Sequence, residues 1–578
     1  MTRGGQWSTG QDGRVPGHRG PGPGRGGTVG AGARLGGLLV DAALGLPLRA
    51  RRYTVDRDVA VPMPDGVTLF GDHYRPDVED PLPVVLIRLP YGRSGVFAHA
   101  FAAPYARRGF QVFVQSTRGT YGSGGQFRPF TTEHEDGLAT LAWVREQPWC
   151  DGRVAMTGGS YFGHTQWAVA PYADPPLVAV SPHITAARIT SAFYDGGAPG
   201  AENALRWSVQ IGAQEAGGLP LPTPWGRARV TRALRSQPLQ AADTTAGGAP
   251  VPFWRDFTGH AEPGDGFWAS ADHQEADLAA FPPANMVTGW WDLFVAEQLR
   301  DVVRLQAAGV PVRLTVGPWI HGEPGELREI VRTDVRWLNH HLRGGRAPRS
   351  AAVRLYLQQA GTWLESPSWP PPGVHTEHHH LGADGSLGAS PTGTSSTVVF
   401  DPADPTPSVG GPLLQGPGKQ ADQATVEARD DVLVFTGPEL PADLDVVGPV
   451  RARVHLRPEL EHADLVVRLC DVDPAGVSRN VVDGIRRLDP RTVPAEDVTV
   501  GQDGVLSVDL ELFPTAYRFR RGHRLRVQVA GGAFPRFARN SGTGEPFAVT
   551  TGGRTSRVEV LHDAGHPSRL ELPVLPAR

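Results

Sequence analysis

From Val84 onward, short apolar runs alternate with longer stretches in which apolar residues recur every three or four positions. Val84-Val85-Leu86-Ile87, Phe110 to Val114 and Val154-Ala155-Met156 are short and uniformly apolar, and predict buried strands. Phe97 to Arg107 and Glu135 to Glu146, lying between them, predict helices. The alternation returns downstream. Leu177 to Val180, Ala284 to Trp291 and Val312 to Ile320 predict strands, and Leu293 to Gln306 carries Phe294, Val295, Leu299, Val302 and Leu305 at helical spacing. Strand and helix in strict succession give an α/β domain with a doubly wound parallel sheet. Roughly 100 residues separate Val180 from Ala284, more than one crossover needs, so the surplus predicts a helical cap over one sheet edge. Phe193, Tyr194, Trp207 and Trp254 are the residues expected to line its underside.

Beyond about residue 348 the pattern changes to short alternating runs broken by Gly, Pro and Asp. Val353 to Leu357, Val432 to Phe435, Val450 to Leu456, Leu465 to Leu469, Leu506 to Leu510 and Leu525 to Val529 fit a β-sandwich. The other end of the chain differs again. Residues 1 to 34 are rich in Gly, Pro and Arg, bury too little to offset chain entropy and predict disorder, while Leu35 to Leu48 predicts a short docking helix. The expected division is an arm over 1–50, an α/β domain over 51–347 with its cap at about 185–280, and an all-β domain over 348–578.

Composition narrows the function. With 578 residues, 40% of them hydrophobic, the chain can bury a large core, and a formal charge of −4 gives no field suited to nucleic acid. Leu35 to Leu48 is too short for a bilayer and is broken by Gly36, Gly37, Asp41 and Pro47, so no membrane partner and a cytoplasmic location are expected. Whether copies associate is left open. Two cysteines, Cys150 and Cys470, exclude a disulfide framework though not a single bridge. Positive charge is almost wholly arginine; Lys419 is the one lysine.

The chemistry is carried by Gly158-Gly159-Ser160-Tyr161-Phe162-Gly163, which sits between the Val154 strand and a helical segment. A serine at a tight strand-to-helix turn exposes its hydroxyl, and the helix N-terminus offers free N–H groups to a developing oxyanion. Phe162 stands where the generic Gly-x-Ser-x-Gly pattern has glycine. An α/β-hydrolase orders its triad as Ser, then Asp or Glu, then His. Asp292 ends one downstream strand and His321 the next, and parallel strands place their C-terminal ends on one sheet edge. Ser160, Asp292 and His321 are therefore the expected triad, against the simpler readings of Asp292 as a helix N-cap and His321 as a packed loop residue.

These motifs resemble the cocaine esterase-like hydrolases, grouped with X-Pro dipeptidyl peptidases and α-amino acid ester hydrolases. The resemblance runs through Val61 to Leu69, Leu89-Pro90-Tyr91-Gly92-Arg93, Thr117-Arg118-Gly119, Gln147-Pro148-Trp149, the Ser160 turn, Gly289-Trp290-Trp291-Asp292 and Gly317 to His321. It reaches Arg468 to Val472 and Phe534 to Asn540. It implies Ser160 as nucleophile, His321 as base, Asp292 as the orienting carboxylate, and an oxyanion hole from the Tyr161 N–H and the Tyr91 phenol. It also implies a jelly roll for the C-terminal domain.

Two positions depart from the family pattern. Ser116 replaces the Asp that usually precedes Thr-Arg-Gly, which leaves Arg118 without its usual partner. Leu293-Phe294-Val295 follow Asp292 where relatives acting on α-amino acid esters carry acidic residues, so an uncharged acyl group is expected, lined by Phe294, Phe193 and Trp291. His375, His378, His379 and His380 alternate on one predicted strand and cannot converge on one ion, so no metal and no cofactor is expected. The expected function is a serine esterase acting on a small-molecule ester through an acyl-enzyme. An X-Pro dipeptidyl peptidase, amidase or acylase is the nearest alternative, and a non-catalytic binding protein on a hydrolase scaffold the more distant one.

Overall fold

The structure, a computed structural model, describes residues 27–28, 37, 41–46, 51–94, 96–215, 224–261, 266–414, 416, 418–491 and 493–576. Strands are numbered β1 (Gly27–Thr28), β2 (Tyr53–Pro62), β3 (Thr68–Pro76), β4 (Leu82–Leu89), β5 (Gln111–Ser116), β6 (Cys150–Gly159) and β7 (Ala179–His183). They continue as β8 (Tyr194–Asp195), β9 (Ala198–Pro199), β10 (Ala284–Trp291), β11 (Val312–Ile320), β12 (Val353–Leu357) and β13 (Thr362–Ser366).

Eleven of these form one sheet in the order β1-β2-β3-β5-β4-β6-β7-β10-β11-β12-β13, and β8 pairs only with β9. Every pairing from β5 through β12 is parallel. Every residue of β5, β7 and β10 is buried, as expected of strands covered by helices on both faces. Helices Val96–Ala106, Glu133–Arg145, Tyr161–Trp167, Val295–Ala307 and Pro324–Arg343 make the crossovers. Since β6, β10 and β11 run parallel, their C-terminal ends share one edge, and the residues after them are Ser160, Asp292 and His321.

Between β7 and β10 the chain leaves the sheet and forms helices Ala201–Glu215, Pro224–Leu234, Ala242–Gly247 and Pro252–Gly259. They close over that edge as a cap, with Phe193, Trp207, Trp254 and Phe257 buried in their shared core. The C-terminal part is all-β. Val432–Glu439, Ala463–Val472, Ser478–Leu488 and Arg524–Ala530 form a four-stranded sheet, packed on a ten-stranded one. His375–Leu381 pairs along its length with Arg569–Leu575, so its histidines serve as sheet residues.

One expectation is corrected. Val353–Leu357, read as a sandwich strand, is β12 and pairs parallel with β11, extending the first sheet. Helix Pro324–Arg343 supplies the crossover that a parallel partner requires, and local alternation alone does not tell such a strand from a sandwich strand. Most of the residues expected to form the N-terminal arm lie outside those described. Of the rest, Gly27–Thr28 pairs with Thr54 and Val55, and buried Asp41 forms an ion pair with Arg107 at 2.6 Å.

Beneath the edge where β6, β10 and β11 end, helix Pro324–Arg343 inserts Asp334 against the sheet with no exposure to solvent. Its carboxylate accepts from Tyr105 Oη at 3.0 Å, His183 Nε2 at 3.0 Å, Asn285 Nδ2 at 2.9 Å and the Thr157 hydroxyl. Burial pushes this carboxyl up, but the His183 ring and the hydroxyl donors outweigh it and hold it below the usual range. The three sheet donors come from β6, β7 and β10, so one carboxylate ties together the central strands. Asp334→Ala removes the acceptor and strands those donors in the core. The variant should lose about 3 to 5 kcal/mol, seen as a lower thermal midpoint by circular dichroism. A midpoint within a degree of the parent's would show that the network holds nothing.

Candidate active site

The turn after β6 brings the nucleophile candidate out of the sheet. Ser160 has φ 59° and ψ −126°, a combination rare for a residue with a side chain, and its N–H is held by the carbonyls of His183 at 2.9 Å and Ile184 at 3.2 Å. Gly158 explains why Phe162 is accepted in the motif. A Cβ at Gly158, whose φ is 149°, would lie 1.9 Å from the Phe162 ring, so that ring fills the space the missing side chain leaves.

The three expected residues meet. His321 Nε2 lies 3.0 Å from Ser160 Oγ, and His321 Nδ1 lies 2.8 Å from Asp292 Oδ2. Asp292 is fully buried, and its other oxygen accepts the Phe294 N–H at 2.8 Å. That bond closes the turn leading into helix Val295–Ala307, whose N-cap position is Phe294, so Asp292 is not the helix cap and its Oδ2 faces His321. A carboxylate that only accepts fixes the imidazole with Nδ1 protonated and Nε2 free to take the serine proton.

Tyr91 and Tyr161 flank the serine. Tyr161 opens helix Tyr161–Trp167, so its N–H lies outside the helical ladder. Its side chain points away from the reaction centre, where Tyr161 Oη donates to Glu133 Oε1 at 2.7 Å and accepts the Phe130 N–H at 3.0 Å. Glu133 pairs in turn with Arg88 at 3.0 Å. Burial raises the Glu133 carboxyl and the Arg88 guanidinium opposes that rise. The Tyr91 phenol hydrogen-bonds with Ser160 and accepts from Trp207 Nε1 at 3.3 Å. Burial pushes its pKa up to about 12, so near neutral pH it keeps the proton it would donate.

Apolar side chains close the space around these groups. Phe294 is buried with its ring 5.7 Å from that of His321, while Phe193, Phe130, Trp207 and Phe253 pack edge to face or tilted under the cap. Trp291 departs from the expected lining. It is buried in the large core that also holds Val295 and Leu299, whereas Phe193 and Phe294 belong to the cluster with Tyr161 and Trp207. Trp290 and Trp291 at the end of β10 both pack into that large core before Asp292 emerges.

The expected gap at Arg118 is filled. Arg118 makes a bidentate pair with Asp136 at 2.9 and 2.6 Å and reaches Asp65 at 2.7 Å, while Ser116 Oγ accepts from Arg93 at 3.3 Å. Arg88, Glu133 and Glu326 were not singled out from the sequence. Glu326 is buried in the first turn of helix Pro324–Arg343, and its Oε2 accepts the Gly322 N–H at 2.8 Å. Burial raises its carboxyl well above the usual range, with Asp292 adding to the rise. Both cysteines are free thiols, and among the described residues no cluster of His, Cys, Asp or Glu has the geometry of a metal site.

Comparison with known proteins agrees with this architecture. Residues 65–323 match the model of the X-Pro dipeptidyl-peptidase (S15 family), and residues 346–571 match that of the X-Pro dipeptidyl-peptidase C-terminal non-catalytic domain. Cocaine esterase from Rhodococcus sp. (strain MB1 Bresler) is 33% identical over 574 residues, covering 90% of this chain and 99% of that protein. The fold is similar to that of an aminopeptidase from a marine sediment archaeon (Thaumarchaeota), with TM-score 0.76 and 24% identity over 91% of this chain and 97% of that one. It is also similar to an α-amino acid ester hydrolase, with TM-score 0.75 and 22% identity over 90% and 97% of the two chains. With 33% identity to cocaine esterase over 90% of its length, the chain belongs to the cocaine esterase-like family of serine hydrolases.

Proposed function

We propose that this protein is a serine carboxylesterase acting on small esters with an uncharged acyl group, with Ser160, His321 and Asp292 as its catalytic triad. The observation that carries this reading is the chain of two contacts, Ser160 Oγ to His321 Nε2 at 3.0 Å and His321 Nδ1 to Asp292 at 2.8 Å. Ser160 Oγ attacks the ester carbonyl while His321 Nε2 takes its proton, and Asp292 stabilises the imidazolium. The carbonyl oxygen, now an oxyanion, accepts from the Tyr161 N–H and the Tyr91 phenol. His321 returns the proton to the departing alcohol and leaves an acyl-Ser160 ester. Water then attacks that ester, with His321 taking the water's proton and giving it back to Ser160 as the acid departs.

The apolar wall favours esterase over peptidase. Leu293 and Phe294 follow the triad carboxylate and are buried in the cluster that holds Tyr161 and Trp207, where an ammonium group would find apolar side chains. No helix among the described residues is long and apolar enough to cross a membrane. The cytoplasm is the proposed location, since both cysteines are free thiols, the state a reducing compartment maintains.

A series of p-nitrophenyl esters of rising acyl length, set beside aminoacyl p-nitroanilides, tests the assignment: turnover of the esters and none of the anilides is expected. Ser160→Ala should cut kcat by about 10⁴-fold or more with the circular dichroism spectrum unchanged, because only one hydroxyl is lost. Residual turnover near the parent's would remove Ser160 from the mechanism.

Tyr91→Phe keeps the ring and deletes the donor. It should lower kcat by about 10² to 10³ with little change in KM, since the bond strengthens only as charge develops. A near-normal kcat would leave the hole to backbone donors. Phe294→Ala opens the wall beside His321 and should move the preferred acyl length upward, changing the ratio of kcat/KM between long and short esters by about tenfold. An unchanged ratio would place the acyl pocket elsewhere.

A further inference from the structure

The turn that carries His321 is held by a residue from the other domain. Glu323, two residues on, accepts the Ile320 N–H through Oε2 at 3.0 Å, which closes the turn around His321. The same carboxylate binds Lys419 Nζ at 2.8 Å. Lys419 comes from a loop of the C-terminal part and is the chain's only lysine among many arginines. We propose that Lys419 is a positioning residue for the catalytic histidine, clamping Glu323 so that the His321 turn is fixed and the carboxylates packed behind it are offset.

Three observations support the clamp. Lys419 adopts φ +76°, a left-handed conformation that side chains rarely take and that marks a locally enforced position. That backbone is over-determined, because Lys419 and Gly411 exchange hydrogen bonds at 2.9 and 3.1 Å and the Lys419 carbonyl accepts from Asn480 at 3.2 Å. The neighbouring Gly418 lies directly on the strand end before His321, where a Cβ would come within 3.2 Å of Ile320 Cγ2. The loop is therefore built to press on this turn, and the cation arrives as part of it.

The titratable and charged groups around the His321 turn come from four directions. Asp292 follows β10 and bonds to His321, Glu323 and Glu326 belong to the turn and the helix after β11, Tyr91 lies across Ser160, and Lys419 arrives from the C-terminal domain. Burial raises the Glu326 carboxyl well above the usual range, which weakens its charge. Glu323 is partly exposed and pairs with Lys419 at 2.8 Å, so Lys419 is the group that balances it. Without the ammonium, the unbalanced carboxylate favours the imidazolium of the resting enzyme, and a base already protonated cannot take the serine proton. The acid limb of the pH–rate profile then moves to higher pH. A loosened turn also lowers kcat while leaving substrate binding, which the cap provides, in place.

This inference rests on His321 being the base. The test is kcat and KM for a p-nitrophenyl ester from pH 5 to 9 in the parent, Lys419→Met and Lys419→Arg. Lys419→Met should lower kcat by about two- to fivefold at neutral pH with KM little changed. Its acid limb should rise by about half a unit, an offset that shrinks in 1 M salt. Lys419→Arg should follow the parent. A superimposable Met profile overturns the clamp, as does a loss of kcat with no shift of the limb. If the Met variant does not fold, acetic anhydride on the native enzyme, then hydroxylamine to reverse O-acylation, neutralises the same ammonium. It should reproduce the shift in the parent and not in Lys419→Arg, and equal response of the two overturns the proposal. Failure of the triad itself is seen separately, as turnover by Ser160→Ala.

Discussion

Everything at the catalytic edge depends on the backbone of Ser160. A side chain at φ 59° and ψ −126° costs on the order of 1 to 3 kcal/mol, and the chain accepts that strain because the surroundings leave no alternative. Two carbonyls from the end of β7 hold its N–H, Phe162 fills the space over Gly158, and the Arg88–Glu133 pair ties down the side chain of Tyr161. Only with the serine lifted out of the sheet can β10 and β11 deliver Asp292 and His321 to it from their own ends. The sheet order sets the distances, and the strained turn sets the direction.

Buried carboxylates around this edge are handled in three different ways. Asp334 is surrounded by donors from three strands and stays ionised, so its charge works as a staple. Glu133 meets Arg88 and the Tyr161 hydroxyl, a paired charge that positions one residue of the oxyanion turn. Glu326 has one backbone donor and the Asp292 carboxylate nearby, so burial wins and its carboxyl is raised. Burial is common to the three, and the groups around each decide whether its carboxyl is lowered, as in Asp334, or raised, as in Glu133 and Glu326.

The parallel core was legible because β4, β5, β6, β10 and β11 are short apolar runs separated by helical periodicity, and because a triad at strand ends has a fixed chain order. The Ser116 substitution was legible as a departure but its remedy was not: Asp136 lies on a helix and Asp65 in a distant turn, and only the folded chain brings both to Arg118. β12 was assigned to the wrong sheet for a related reason, since its five residues alternate as a sandwich strand would. Trp291 was misplaced as lining because strand-end proximity says nothing about which face a side chain takes. Arg88, Glu133 and Glu326 gave no signal, as isolated charges in a sequence look like surface.

The C-terminal domain is tied to the catalytic edge at several points, and this constrains how the enzyme works. Leu414 bonds to Asn203 on the cap helix at 3.1 Å, Lys419 reaches the His321 turn, and Gln358 after β12 pairs with Tyr517. Leu414 thus touches the cap above Ser160, and Lys419 touches the turn that follows His321. The cap and the His321 turn each receive a contact from the β-domain, so the geometry around Ser160 is set by the packing of both parts of the chain and not by the α/β sheet alone.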